Sequence, residues 1–94
     1  MAQLSDDELR DALGRLAGWA ADGDELVKRF SFSTFPDGVA FVNRVADVAE
    51  DVGHHPDIDI RYTNVTMRLS THSEGGITAR DLDLARRIDA LLSR

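Results

Sequence analysis

Between Ser33 and Gly53 the chain carries its longest helical pattern, and that segment governs what 94 residues can build. Thr34, Pro36 and Asp37 suit a first turn, because proline needs no amide partner there and a carboxylate suits the positive helix end. Phe35, Val39, Val42, Ala46 and Ala49 form one apolar stripe, and Phe41, Val45, Val48 and Val52 form a second beside it. Together they cover about half of a helical wheel, more than one sheet face usually needs. Two readings stay open: part of this helix faces a partner subunit, or the whole helix is buried in one compact core. Gly53 and Pro56 end it.

The flanking segments supply what the helix packs on. Ser5-Asp6-Asp7-Glu8 has capping-box spacing, and Leu9, Ala12, Leu13 and Leu16 then share a helical face, with Gly18 as the expected stop. Ala21-Asp22-Gly23-Asp24 reads as a turn between a short strand around Trp19 and a longer one from Glu25 to Ser33, with Leu26, Phe30 and Phe32 on one face. After the long helix, Ile58, Ile60 and Tyr62 alternate, as do Val65, Met67, Leu69 and Thr71, with Thr63-Asn64 as the expected turn. Gly75-Gly76 is a loop. Thr78-Ala79-Arg80-Asp81 starts a last helix with Leu84, Ala85, Ile88, Leu91 and Leu92 on one face. Hairpins imply antiparallel pairing. The pattern predicts an α+β fold, a four-stranded antiparallel sheet with helices packed on one face, in the order α-β-β-α-β-β-α. Residues 1–94 make a single domain, since the length serves one modest core and not two.

Composition narrows the partners. A hydrophobic fraction of 43% with 30% charged residues is that of an ordinary globular protein. The net charge of −6 argues against nucleic acid or an anionic membrane as partner. The absence of cysteine removes disulfides, thiolate zinc sites and cysteine nucleophiles together. The acidic, amphipathic start has no secretory character and no apolar run reaches membrane-spanning length, so a cytoplasmic location is expected.

The chain has three histidines. His54 and His55 lie between the long helix and the third strand, and His72 ends the fourth. A tight hairpin returns the end of its second strand beside the start of its first, so the three imidazoles are expected to converge. Glu50 lies about one helical turn before His54 and can reach the same place. Three readings compete. The histidines bind a metal with Glu50 or Asp57, although adjacent histidines point apart and no HExxH-type spacing or cysteine is present. They are loop histidines with no joint role. Or they are acid–base groups, since imidazole titrates near neutrality and can hold or accept a proton there. On chemistry alone the third leads.

Ala49-Glu50, His54-His55-Pro56, Tyr62, Thr71-His72, Gly75-Gly76 and Asp81 stand at spacings that resemble the pterin-4a-carbinolamine dehydratases. Phe30-Ser31-Phe32, Phe35 and Ala40-Phe41 extend the likeness upstream, and Leu82 with Leu84-Ala85 extends it downstream, so that it covers most of the chain from Trp19 onward. The resemblance implies the same helix-flanked sheet and a dimer or tetramer, which gives the second apolar stripe an occupant. It implies dehydration of 4a-hydroxytetrahydropterin to quinonoid dihydropterin without metal or cofactor, a step in tetrahydrobiopterin recycling. By the same resemblance His54 and His72 are the acid–base pair, His55 mainly holds the pterin, and Glu50 orients or charges an imidazole. Ser70, Thr71 and Ser73 offer hydrogen bonds to the pterin, and Asp81 matches the family carboxylate, although a cap on the last helix explains it equally well. One position departs. Many relatives carry an aromatic residue where this chain has Ile58; if that ring walls the site, the chain holds its ligand more weakly.

A second class of function shares the scaffold: a non-catalytic binding or assembly protein, or a transcriptional cofactor. Relatives given over to such roles are expected to lose histidines, and this chain keeps all three. A third possibility is a pterin-binding protein with little turnover.

Overall fold

The computed structural model describes residues 2–92. Helix α1 spans Asp6–Leu13, strands β1 and β2 span Ala20–Asp22 and Glu25–Ser31, and helix α2 spans Phe35–Val52. Strands β3 and β4 span Asp57–Arg61 and Asn64–Leu69, a 3-10 turn covers His72–Glu74, and helix α3 spans Ala79–Ala90. The strands form one antiparallel sheet in the order β1-β2-β4-β3. The expected α-β-β-α-β-β-α order and the helices on one sheet face are therefore what the chain adopts.

Pleating sorts the residues between the two faces. Leu26 pairs with Leu69 and Phe30 with Val65, and all four point with Met67 into the core. The helices supply Ala12 and Leu16, Phe41 and Val45, and Leu84, Ala85 and Ile88 to the same cluster. Phe30 and Phe32 lie 4.9 and 5.1 Å from the Phe41 ring, so α2 is keyed to β2 through one aromatic side chain. Burying a side chain of that size contributes about 1.5–3 kcal/mol. The opposite sheet face is polar, with Arg29, Thr66, Arg68, Asp57 and Asp59 on it.

Each helix starts where its cap allows. Ser5 and Glu8 form the expected capping box on α1, whose Glu8 carboxyl is held below its usual range first by the Ser5 amide and then by its hydroxyl. Thr34 Oγ1 accepts from the Asp37 amide at the start of α2, with Pro36 in the first turn. Gly53 ends α2 at φ 65°, a left-handed conformation that an L side chain reaches only at a cost. Its amide satisfies the Glu50 carbonyl and the following His54 amide satisfies that of Ala49.

Several boundaries differ from expectation. Helix α1 ends at Leu13 with Gly14 as its cap, one turn before Gly18, because Gly14 to Trp19 close a series of tight turns. The hairpin turn is Tyr62-Thr63 and not Thr63-Asn64: Arg61 pairs with Asn64, and Tyr62 takes φ 52°. Strand β1 follows Trp19 and does not include it. Trp19 is instead buried, its Nε1–H donating to both Asp89 carboxylate oxygens while Lys28 Nζ donates to Asp89 Oδ1 at 2.9 Å. This pins the end of α3 to β2. Leu92, expected on the buried face of the last helix, lies beyond its end and is 47% exposed.

Of the two α2 stripes, the second is the inward one, with Phe41 and Val45 buried and Val48 and Val52 half-buried, whereas in the first only Ala49 is buried, so the stripe that the resemblance gave to a partner packs in the core instead. Phe35 and Ala46 are exposed, and Val39 and Val42 are half-buried. Beside them runs edge strand β3, exposed along its whole length, with Ile58 and Ile60 paired to core residues yet uncovered.

Candidate active site

His54, His55 and His72 meet at one cavity of about 240 Å³, lined also by Gly53, Ser70, Thr71, Ser73 and Arg80. The convergence comes from the β3–β4 hairpin. Asp57 pairs with Arg68, so the segments beyond the ladder, His54–Pro56 and Ser70–His72, leave it side by side. Strand β4 itself stops at Leu69. His72 opens the 3-10 turn instead of ending the strand, and a Thr71–Gly76 bridge closes the loop behind it. That loop is strapped from outside: Gln3 Nε2 donates to the Glu74 carbonyl at 2.7 Å and Leu4 N donates to the Ile77 carbonyl. A Cβ at Gly76 would come within 2.8 Å of Gln3 Oε1, so a side chain there would push the Gln3 amide out of its strap position.

Beneath the cavity lies a closed polar network. Asp81 and Thr78 are fully buried and Thr71 nearly so. Asp81 Oδ1 accepts from His54 Nε2 at 2.5 Å. Asp81 Oδ2 accepts from the Thr71 hydroxyl and from the Thr78 amide, both at 2.9 Å. Having given its proton to Asp81, Thr71 must accept at Oγ1 from the Thr78 hydroxyl, 2.8 Å away. Thr78 in turn accepts from the Arg80 amide as the cap of α3. One carboxylate thus caps a helix, as its spacing predicts, and also holds an imidazole; it is fully buried and does not itself line the cavity. With Asp81 as an ionised acceptor, Nε2 is the donating nitrogen of His54, and its Nδ1 makes no hydrogen bond among the described residues.

The remaining candidates fall on different sides of the wall. His55 Nε2 donates to Glu50 Oε2 at 2.5 Å, and both side chains are largely in solvent. Glu50 therefore holds His55 and does not line the cavity. Thr71 lines it, but its hydroxyl is committed to Asp81. Ser70 and Ser73 line it as well. Ile58 does not; its side chain lies on the helix-side face of β3, so the departure from an aromatic residue leaves the described lining untouched. Arg80 was missed by sequence reasoning. It sits in the first turn of α3 between the cap and Asp81, donates from Nη2 to the Gly53 carbonyl at 2.9 Å, and adds a guanidinium to the lining. Its position directly before a capping carboxylate is the signal that could have found it.

The donors do not gather into a metal site: among the described residues no group of three His, Cys, Asp or Glu side chains could hold an ion. Nor is any helix long and apolar enough to cross a membrane, among the described residues.

Comparison with known proteins bears on the family and the fold. The model of the pterin 4 alpha carbinolamine dehydratase family matches residues 2–91. A Mycobacteroides abscessus protein provisionally named pterin-4-alpha-carbinolamine dehydratase is 53% identical over 94 residues, covering 100% of both chains. A Roseiflexus castenholzii protein with the same provisional name is 50% identical, covering 97% of this chain and 98% of its own. The crystal structure of a transcriptional coactivator/pterin dehydratase from Brucella melitensis superposes with a TM-score of 0.89 at 36% identity, over 94% of this chain and 96% of that one. A pterin dehydratase-like protein identified as a RuBisCO assembly factor of the alpha-carboxysome aligns with a TM-score of 0.63 at 30% identity, over 78% and 84%. Full-length identity of this order, on a matching fold, means that the chain belongs to the pterin 4 alpha carbinolamine dehydratase family.

Proposed function

We propose that the protein dehydrates 4a-hydroxytetrahydropterin to quinonoid dihydropterin, the step that returns an oxidised pterin to the tetrahydrobiopterin cycle. The observation that carries this is one cavity lined by both His72 and His54, the latter held from behind by the buried Asp81. In the reaction a proton goes to the oxygen on C4a, the C4a–O bond breaks to release water, and N5 gives up its proton as the C4a–N5 double bond forms. One group must donate and another accept. His54, with Nε2–H turned to Asp81, presents Nδ1 as the acceptor. His72 makes no side-chain hydrogen bond among the described residues and is free to turn a ring N–H toward the leaving oxygen. His55, held by Glu50, and Arg80 bind the ring; Ser73 supplies a hydroxyl at the rim.

The test generates the carbinolamine in situ with a phenylalanine hydroxylase and follows its dehydration by ultraviolet absorbance. Acceleration that survives chelator treatment is expected. A rate no faster than the spontaneous one would remove the catalytic reading and leave a binding or assembly role, such as that of the RuBisCO assembly factor with a related fold.

The same reading includes self-association. Phe35, Ile58, Ile60 and Tyr62 are 47, 36, 39 and 76% exposed, on one helix and an uncovered sheet edge, a pattern that native monomers avoid. Sedimentation velocity is expected to show an oligomer that Ile60→Lys weakens; a wild-type monomer at micromolar concentration would end this part of the proposal.

A further inference from the structure

The turn that carries His72 is closed at its foot and tied near its tip. At the foot, Thr71 and Gly76 exchange backbone hydrogen bonds, at 2.9 Å from the Thr71 amide and 3.4 Å from the Gly76 amide. The Thr71 hydroxyl, bonded to Asp81 and Thr78, fixes that foot to the buried network. Inside the turn the Glu74 amide donates to the Thr71 carbonyl and the Gly75 amide to that of His72. From outside comes Gln3, 71 positions away in sequence, whose Nε2 donates to the Glu74 carbonyl at 2.7 Å. Gln3 is exposed, yet the residues after it are anchored. Leu4 N donates to the Ile77 carbonyl at 2.9 Å, the Leu4 side chain packs against the core, and Ser5 caps α1. The Gln3 amide also lies close over Gly76, where a Cβ would stand 2.8 Å from its Oε1 and 3.0 Å from its Cδ. One side chain thus joins an anchored segment to the turn. His72 is exposed, and its ring makes no hydrogen bond among the described residues. The place of that ring is set by its backbone, and its backbone by the turn.

We propose that Gln3 is a positioning residue for His72, holding the turn so that the imidazole stands where the proton transfer needs it. The inference rests on the dehydratase reading above. A general acid delivers its proton only within hydrogen-bond reach of the leaving oxygen, and a misplacement of about 1 Å can cost roughly a hundredfold in rate. His54 is held at the ring itself, by Asp81. His72 has no such hold, and an exposed turn left to itself moves on the nanosecond-to-microsecond scale of loops. Gln3 narrows that motion by fixing the Glu74 carbonyl, two positions after His72, to a segment docked on the core. Gln3 does not line the cavity, and His55 and Arg80 lie outside the turn, so its contribution falls on the chemical step and not on binding. Stability depends on it little, because the exposed amide and carbonyl both return to water when their bond is lost.

The test is steady-state kinetics on the carbinolamine generated in situ, with urea unfolding measured on the same proteins. Gln3→Ala is expected to lower kcat about tenfold, with KM little changed and the urea midpoint close to that of the wild type. Gly76→Ala breaks the same contact from the other side. Gly76 does not take a positive φ, so alanine fits its backbone, and the added Cβ displaces the free end of a flexible side chain. It should reproduce the loss, and the double variant should be no worse than either single one. Gln3→Glu keeps the shape but removes the N–H, so it should behave like Gln3→Ala, whereas Gln3→Lys keeps a donor of sufficient reach and should recover most of the rate. A purely structural part would move the urea midpoint together with kcat and would not sort Gln3→Lys from Gln3→Glu. Wild-type kcat in Gln3→Ala, or a loss that Gln3→Lys leaves unrecovered, overturns the positioning role while the dehydratase reading stands. A wild-type protein that does not accelerate dehydration overturns both.

Discussion

His54→Ala is expected to cut turnover of the 4a-carbinolamine by roughly 10²–10⁴-fold, and His72→Ala by a similar factor, with each fold intact by circular dichroism. The size follows from the reaction's need for two proton transfers at neutral pH, each to or from a heteroatom that water serves poorly. His54 is 9% exposed with one ring nitrogen fixed by Asp81, so its other nitrogen is aimed, and alanine leaves nothing in its place. His72 is exposed and unpinned, and its loss removes the donor without disturbing the network beneath. His55→Ala should behave differently. Its partner Glu50 is in solvent, and neither belongs to the buried network, so KM should rise while kcat changes little. Single-turnover rates on the three variants separate these patterns. Equal, small losses for all three would contradict the division of labour.

The fold was legible wherever a local rule decides the outcome. The cap at Thr34, the stop at Gly53 and the capping boxes at Ser5 and Thr78 depend on residues within one turn of each other, and each appears as its spacing predicts. Alternation placed Val65, Met67 and Leu69 in the core and, through the hairpin, brought His72 toward His54. What local rules leave open is which of two equivalent turn positions is used. Thr63-Asn64 and Tyr62-Thr63 both fit, and the observed choice requires Tyr62 to adopt a positive φ that nothing in its own chemistry favours. The same gap hid Arg80 and the tie between Asp81 and His54. Both depend on α3 docking against the end of α2, a contact between residues 27 positions apart, whereas a capping carboxylate announces only its own helix. Glu50 was assigned to the right neighbourhood and falls on the solvent side of it, since an i, i+4 relation brings a side chain near the His54 backbone without deciding which imidazole it meets.

Asp81→Asn is expected to lower kcat by roughly 10²–10⁴-fold although Asp81 touches no substrate. The substitution keeps shape and removes one acceptor. Oδ2 takes two donors, the Thr71 hydroxyl and the Thr78 amide, so the amide oxygen of asparagine must sit there. Its NH2 then faces His54 Nε2, where a donor already stands. The clash is relieved only if Nε2 gives up its proton, which moves it to Nδ1 and turns the proposed acceptor into a donor. The wrong tautomer, not a displaced ring, is what slows the reaction. The stability loss should be modest, about 1–3 kcal/mol for a weakened buried hydrogen-bond set, and urea denaturation would measure it. Asp81→Ala leaves Thr71, Thr78 and His54 without their common acceptor and should lose both stability and activity, so it cannot distinguish orientation from folding. The asparagine variant does. Near-wild-type kcat in a folded Asp81→Asn protein would mean that His54 does not act through Nδ1, and the roles of His54 and His72 would have to be exchanged or abandoned. Nitrogen-15 chemical shifts of the His54 ring give the independent reading: protonation at Nε2 in the wild type, and at Nδ1 in the variant.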